Sequence, residues 1–336
     1  MTQLDMFGAP APRKGVVEAA EPDADVVRLG RALPTTVALG TSSWSFPGWR
    51  GLVYRDPASE ATLAKHGLGA YAVHPLLRTV GVDRTFYAPV GADVLAGYAA
   101  VVPPAFRFLV KAHEALTLAR FPGHARYGAL RGQPSPHYLD AAYARDHVVA
   151  PFVDGLGAHG GVLLFQFAPQ PAEVLAGPGP RSAPRRFAER LYRFLRELPT
   201  GPRYAVEVRT AELLTPDYAA ALRAAGAVPG LAVMPGLPPL ATQARLTRAG
   251  EAATLVVRWM LAAHHDYDSA RAAYQPFDRL VEPDPGNRRA IADLVRAAIA
   301  RGAPATVIVN NKAEGSSPRS VVELARELVD GDDVPF

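Results

Sequence analysis

The stretch ATVIVNNKAEGSSPRSVVELARELV, residues 305–329, joins a short β-branched run (ATVIVNN, 305–311) to an amphipathic segment (PRSVVELARELV, 318–329) through a polar loop. Ser317 is placed as N-cap and Pro318 at the first helical position, where a missing N–H costs nothing. A strand followed by a helix is the unit of a parallel sheet. The same alternation runs back through the chain. VALGT (37–41), RTVGVD (78–83), FRFLVK (106–111), GVLLFQF (161–167), RYAVEVR (203–209), GLAVM (230–234) and TLVVRW (254–259) read as seven further strands. Amphipathic segments at 92–102, 184–198, 216–226 and 287–302 stand between them; in the last of these, Ile291, Leu294, Val295 and Ala298 fall on one helical face and Gly302 marks the stop. Eight such units predict a (β/α)8 TIM barrel spanning residues 35–331, with an open doubly wound sheet as the alternative.

A barrel of this kind carries its chemistry at the C-terminal ends of its strands. Those ends present Thr41, Ser42 and Trp44; Asp83, Arg84 and Tyr87; Lys111 and His113; Gln166; Glu207 and Arg209; Arg258; and Asn310, Asn311 and Lys312. Glu207 and Arg209 are two apart, so their side chains share one face of the strand. They suit either a buried structural ion pair or a catalytic one. Only four Lys (14, 65, 111, 312) and three Asn (287, 310, 311) stand beside 32 Arg, so a surviving Lys111, Asn310 or Asn311 carries more weight than usual. Lys111 suits a base, a Schiff-base nucleophile or an anion holder. Gly315, Ser316 and Ser317 at the start of a helix offer free backbone N–H groups to an anion, and Arg258 would face them from the seventh strand.

The 336 residues, 49% apolar and 20% charged, are globular in composition. Lys plus Arg exceed Asp plus Glu by 36 − 32 = 4, an excess that permits a nucleic-acid partner without demanding one. The absence of Cys excludes disulfides, thiolate catalysis and sulfur-ligated metal. No basic flank with an apolar run opens the chain and no apolar stretch is long enough to span a bilayer, which predicts a cytoplasmic protein without membrane contact. GLGAHGG (155–161) contains G-x-G-x-x-G but precedes a strand, so it is no dinucleotide fingerprint; nucleophile-elbow, Walker and H-E-x-x-H sequences are missing. Asp83, His113, Glu207 and His264 are the residues that would have to converge on a metal, and no motif spacing supports one. Residues 8–34, rich in Ala, Pro and acids, predict a disordered tail over 1–34.

GTSSWSFPGWRGLVY (40–54), TFYAPV (85–90), FLVKAHEALT (108–117), LLFQFAP (163–169), AVEVR (205–209) and VNNKAEGSSPRS (309–320) together resemble the domain-of-unknown-function 72, or YecE-like, family. The resemblance implies a TIM barrel and marks Trp44, Tyr87, Lys111, Gln166, Glu207, Arg209, Asn310 and Asn311 as site positions. Relatives carry Arg-x-His on the seventh strand where this chain has Arg258, Trp259 and Met260. The family has no settled activity. The expectation is an enzyme, a hydrolase or lyase in character, on an anionic, phosphorylated or nucleic-acid-derived substrate. Lys111, Glu207, Arg209 and Asn310 would be catalytic, and Trp44, Tyr87, Gln166, Arg258, Asn311, Ser316 and Ser317 would bind substrate. A metal-dependent hydrolase or isomerase and a non-catalytic ligand-binding scaffold are the alternatives. At the other end, Gln3, Leu4, Asp5, Met6 and Phe7 resemble the peptide that binds the bacterial sliding clamp, in which apolar residues fill a groove from a flexible tether.

Overall fold

The computed structural model describes residues 16–170 and 183–331. Eight parallel strands close into one barrel in sequence order: β1 Val37–Thr41, β2 Leu77–Val82, β3 Arg107–Lys111, β4 Gly160–Phe167, β5 Tyr204–Val208, β6 Val228–Val233, β7 Leu255–Trp259 and β8 Ala305–Val309. β8 pairs with β1 from Val37↔Ala305 to Thr41↔Val309, so the sheet has no free edge. Helices alternate with the strands, and the fold is a TIM barrel.

Alternation along each strand separates two cores. Leu109, Val162, Leu164, Ala205, Val228, Val256 and Ile308 point inward and fill the barrel. Val110, Leu163, Phe165, Val206, Leu231, Val257 and Val307 point outward and pack under the helices, where Ile291, Val295, Val321 and Leu324 meet them. The next inward position above the inner plug is therefore the floor of the C-terminal mouth. On β6 the inward residues after Val228 are Gly230 and Ala232. A Cβ on Gly230 would stand 3.3 Å from both Glu207 Cβ and Leu164 Cδ1, so glycine leaves the room that a charged neighbour needs.

Local signals explain the helix limits. Thr215 Oγ1 accepts from Tyr218 N ahead of helix Pro216–Ala225, which stops at Gly226 with φ 73°. Asp284 caps helix Pro285–Ala300 through Asn287 N at 3.0 Å. Among the described residues no helix is long and apolar enough to cross a membrane.

The expected tail is corrected in part. Residues 1–15, including Gln3 to Phe7, lie outside the described residues, but 16–34 are folded onto the barrel. Ala20 N donates to Val53 O at 2.9 Å and Arg55 N to Glu18 O at 2.9 Å, followed by a helix over Ala24–Ala32. Val26, Leu29 and Leu33 recur at helical spacing and are buried. Arg28 bonds to Asp330 and Arg326 to Asp25, latching this helix to the final one, Ser317–Asp330. An apolar stripe of three residues outweighed the acid- and proline-rich composition around it.

Candidate functional site

The strand register brings Gln166 of β4 beside Glu207 of β5, and barrel curvature carries Arg258 of β7 across the small inner face of β6 to meet them. Four side chains then close a ring. Arg209 Nε donates to Glu207 Oε1 at 2.8 Å and Arg258 Nη1 to Glu207 Oε2 at 2.7 Å, while Arg209 Nη2 and Arg258 Nη1 both donate to Gln166 Oε1 at 2.9 and 2.8 Å. Glu207 is fully buried and Arg258 is 1% exposed. Burial alone would raise the Glu207 carboxyl pKa; the charges of Arg258 and Arg209 reverse that and hold it down at about 2. Glu207 therefore stays ionised with both oxygens occupied. Its place in the ring is to orient two guanidiniums, the structural side of the two roles its spacing with Arg209 allowed. Arg209 Nη1 makes no hydrogen bond among the described residues and is the open edge of the ring.

Lys111, the last residue of β3, is 5% exposed. Its Nζ stands 3.9 Å above the Phe86 ring and 3.5 Å from Asp83 Oδ1, with no hydrogen bond among the described residues. Burial pushes its pKa down to about 8, opposed by Asp83 and aided by the charges of Arg258 and Arg209. An amine in that state exchanges protons, or attacks a carbon, near neutral pH. Lys312, beyond β8, repeats the pattern: it is 4% exposed, its Nζ lies 3.8 Å from the Tyr267 ring, and burial with the charge of Arg271 lowers its pKa to about 8. Tyr87 and Tyr267 are both exposed at the rim, and Arg126 stacks over Tyr87 at 4.9 Å.

The other expected residues divide. Asn310 stays at the mouth, donating Nδ2 to Ser42 Oγ at 3.2 Å and accepting Lys312 N on Oδ1 at 3.0 Å. Asn311 does not bind at an open surface: its Oδ1 accepts Trp49 Nε1 at 3.2 Å and Ser317 N and Oγ, each at 2.8 Å. The expected anion site at the final helix is thus filled by the chain's own amide. Ser316 and Ser317 are buried, and Ser316, not Ser317, is the N-cap position. Trp44 packs edge-on against Tyr98, centroids 5.3 Å apart, within the shell between strands and helices. Nor do the residues weighed for a metal converge. Asp83 faces Lys111, Glu207 holds two arginines, His113 Nδ1 meets Tyr143 OH at 2.9 Å, and His264 pairs with Glu282.

Tyr267 was not among the expected site residues, and Lys312, placed at a strand end by the sequence, was given no role there although the scarcity of lysine pointed to one. Two clefts lie away from the mouth, one of about 630 Å³ at the opposite end beside Arg78, Arg107 and Arg203 and one of about 290 Å³ beside His74 and Arg326. The mouth is the better candidate, because in this fold chemistry gathers at the C-terminal strand ends and the perturbed amines are there.

Fold and mouth together define a TIM-barrel protein with a buried, net-basic centre. The chain belongs to the family described as protein of unknown function DUF72, which it matches over residues 38–334. A DUF72 family protein from Enterococcus faecalis V583 is similar in structure, with TM-score 0.54 and 14% identity over 88% of this chain and 95% of that one. Another, from Thermotoga maritima MSB8, has TM-score 0.54 and 18% identity over 87% of this chain and 98% of that one. At such identities the likeness is one of fold. No curated protein matches the chain.

Proposed function

We propose that the protein is an enzyme acting on an anionic substrate, phosphorylated or derived from nucleic acid, at the C-terminal mouth of the barrel. The observation that carries this reading is the pair of buried, hydrogen-bond-free ammonium groups of Lys111 and Lys312 beside the Arg209–Glu207–Arg258–Gln166 ring. Four cations stand there against the two carboxylates of Asp83 and Glu207, a field that draws in an anion. In this reading Lys111 is the catalytic amine, Arg209 Nη1 and Lys312 hold the anionic group, Asn310 orients a polar group, and Tyr87 and Tyr267 flank a sugar or base. Turnover of phosphorylated metabolites and short single-stranded oligonucleotides, screened with the wild type and with Lys111→Ala, tests it. Turnover abolished in the variant supports the assignment. A neutral substrate, or a rate unchanged by Lys111→Ala, refutes it.

In the same reading Gln3, Leu4, Asp5, Met6 and Phe7 seat on the bacterial sliding clamp and bring the barrel to DNA. Its support is the sequence pattern alone. Titrating purified clamp with a peptide of residues 1–10 and with its Gln3→Ala, Phe7→Ala form decides the point, since equal affinities would remove it.

A further inference from the structure

Three groups outside the basic ring face one another on the excursion that follows β7. His264 Nε2 lies 2.7 Å from Glu282 Oε2 and His265 Nε2 lies 3.2 Å from Glu282 Oε1, so two consecutive imidazoles take the two oxygens of one carboxylate. The three ligand atoms fall within 4.8 Å of one another. A tetrahedral zinc with bonds of about 2.0–2.2 Å separates its ligands by roughly 3.3–3.5 Å, a spacing that small side-chain rotations here would reach.

Outer contacts hold the ligands as metal ligands are commonly held. His265 Nδ1 stands 3.1 Å from Ser269 Oγ, and Tyr274 OH donates to Glu282 Oε2 at 2.8 Å. Ser269 is itself fixed by the capping box of helix Tyr267–Tyr274, in which Asp266 Oδ1 accepts Ser269 N at 2.8 Å. The backbone at Glu282 is anchored too, since Val281 N and Glu282 N both donate to Glu314 O. The ligand set is two nitrogens and one oxygen with His264 open to solvent, which suits a borderline divalent ion and leaves a coordination position for water.

We propose that His264, His265 and Glu282 bind a zinc ion. The ion would tie together residues 264–282, the excursion that carries Tyr267 over Lys312, and so fix one wall of the mouth. The test is zinc titration by calorimetry, with elemental analysis after gel filtration, on full-length protein free of any histidine tag. The wild type, His264→Ala and Glu282→Gln are compared, with His265→Ala as a third variant. The expected result is one zinc per chain in the wild type and at least tenfold weaker binding in each variant. His264 is 67% exposed on its side chain, so its alanine form keeps the metal-free melting temperature. Absence of stoichiometric zinc in the wild type, or equal zinc in wild type and His264→Ala, overturns the site.

Discussion

Glu207→Gln changes one oxygen for an NH₂ group of nearly equal size, yet it should be among the costlier single substitutions in this protein. The carboxylate is fully buried and is the one anion in the ring that offsets Arg209 and Arg258. With an amide in its place, one guanidinium faces a donor and two buried cations lose their counter-charge. Removing one partner of a buried ion pair costs about 3–5 kcal/mol. The pKa gives a similar figure independently: the drop from 4.5 to about 2 corresponds to about 3 kcal/mol of stability at neutral pH. For 336 residues, unfolding entropy near 2.1 cal/mol/K per residue converts 3–5 kcal/mol into a fall of about 4–7 °C in melting temperature. The sign with pH is fixed as well. Because the folded pKa is depressed, the contribution is complete above about pH 4.5 and disappears as pH falls through about 2. Thermal unfolding of wild type, Glu207→Gln, Arg258→Met and the double variant, at pH 7 and pH 3, measures this. The double variant should lose about 2 kcal/mol less than the sum of the singles, since only Arg209, and no longer Arg258 as well, is then left without the Glu207 carboxylate. A Glu207→Gln cost below about 1 kcal/mol at pH 7 would refute the ring as the holder of these charges.

Lys111→Met should act in the opposite direction on stability. With a folded pKa near 8 against 10.5 unfolded, the buried ammonium costs the fold about 3 kcal/mol at pH 7, a penalty that fades as pH rises from 8 to 10.5. Chemical denaturation should therefore show the variant more stable by about 1–3 kcal/mol at pH 7 and level with the wild type above pH 10.5; a loss at pH 7 would contradict the burial argument. Asn311→Ala strands Trp49 Nε1, Ser317 N and Ser317 Oγ, all buried, and should cost about 3 kcal/mol by the same assay, whereas an exposed anion-binding asparagine would cost almost nothing. Leu29→Ala opens a cavity beneath helix Ala24–Ala32 and should cost about 2–5 kcal/mol; no change in melting temperature would mean that this helix does not dock.

The strands were legible because a parallel strand buried on both faces is a short, almost wholly apolar run, as GVLLFQF and TLVVRW are. Helices such as Leu240–Thr247 and Tyr267–Tyr274 were not, since eight residues give too little periodicity to stand out and are stable mainly through packing. Glu207 and Arg209 could be placed on one face by counting by two. Arg258 could not be joined to them by counting, because its approach depends on curvature across β6 and on the space above Gly230. The cap at the final helix went astray by one residue, and the return of the Asn311 side chain onto that helix start is loop geometry that no period encodes. Glu282, 18 positions beyond His264, has no sequence spacing to announce it.

The seam that closes the sheet also orders events during synthesis. Val37 pairs with Ala305, 305 − 37 = 268 positions later, and the helix at Ala24–Ala32 makes its ion pairs with Ser317–Asp330. While a ribosome is still extending the chain, β1 has no neighbour on its β8 side and the helix before it lacks its ion-pair partners Arg326 and Asp330. Such open edges attract other chains, and distant pairings form slowly. A nascent or stalled chain ending before residue 305 thus keeps two open strand edges, one on β1 and one on β7, until the final segment emerges to join them.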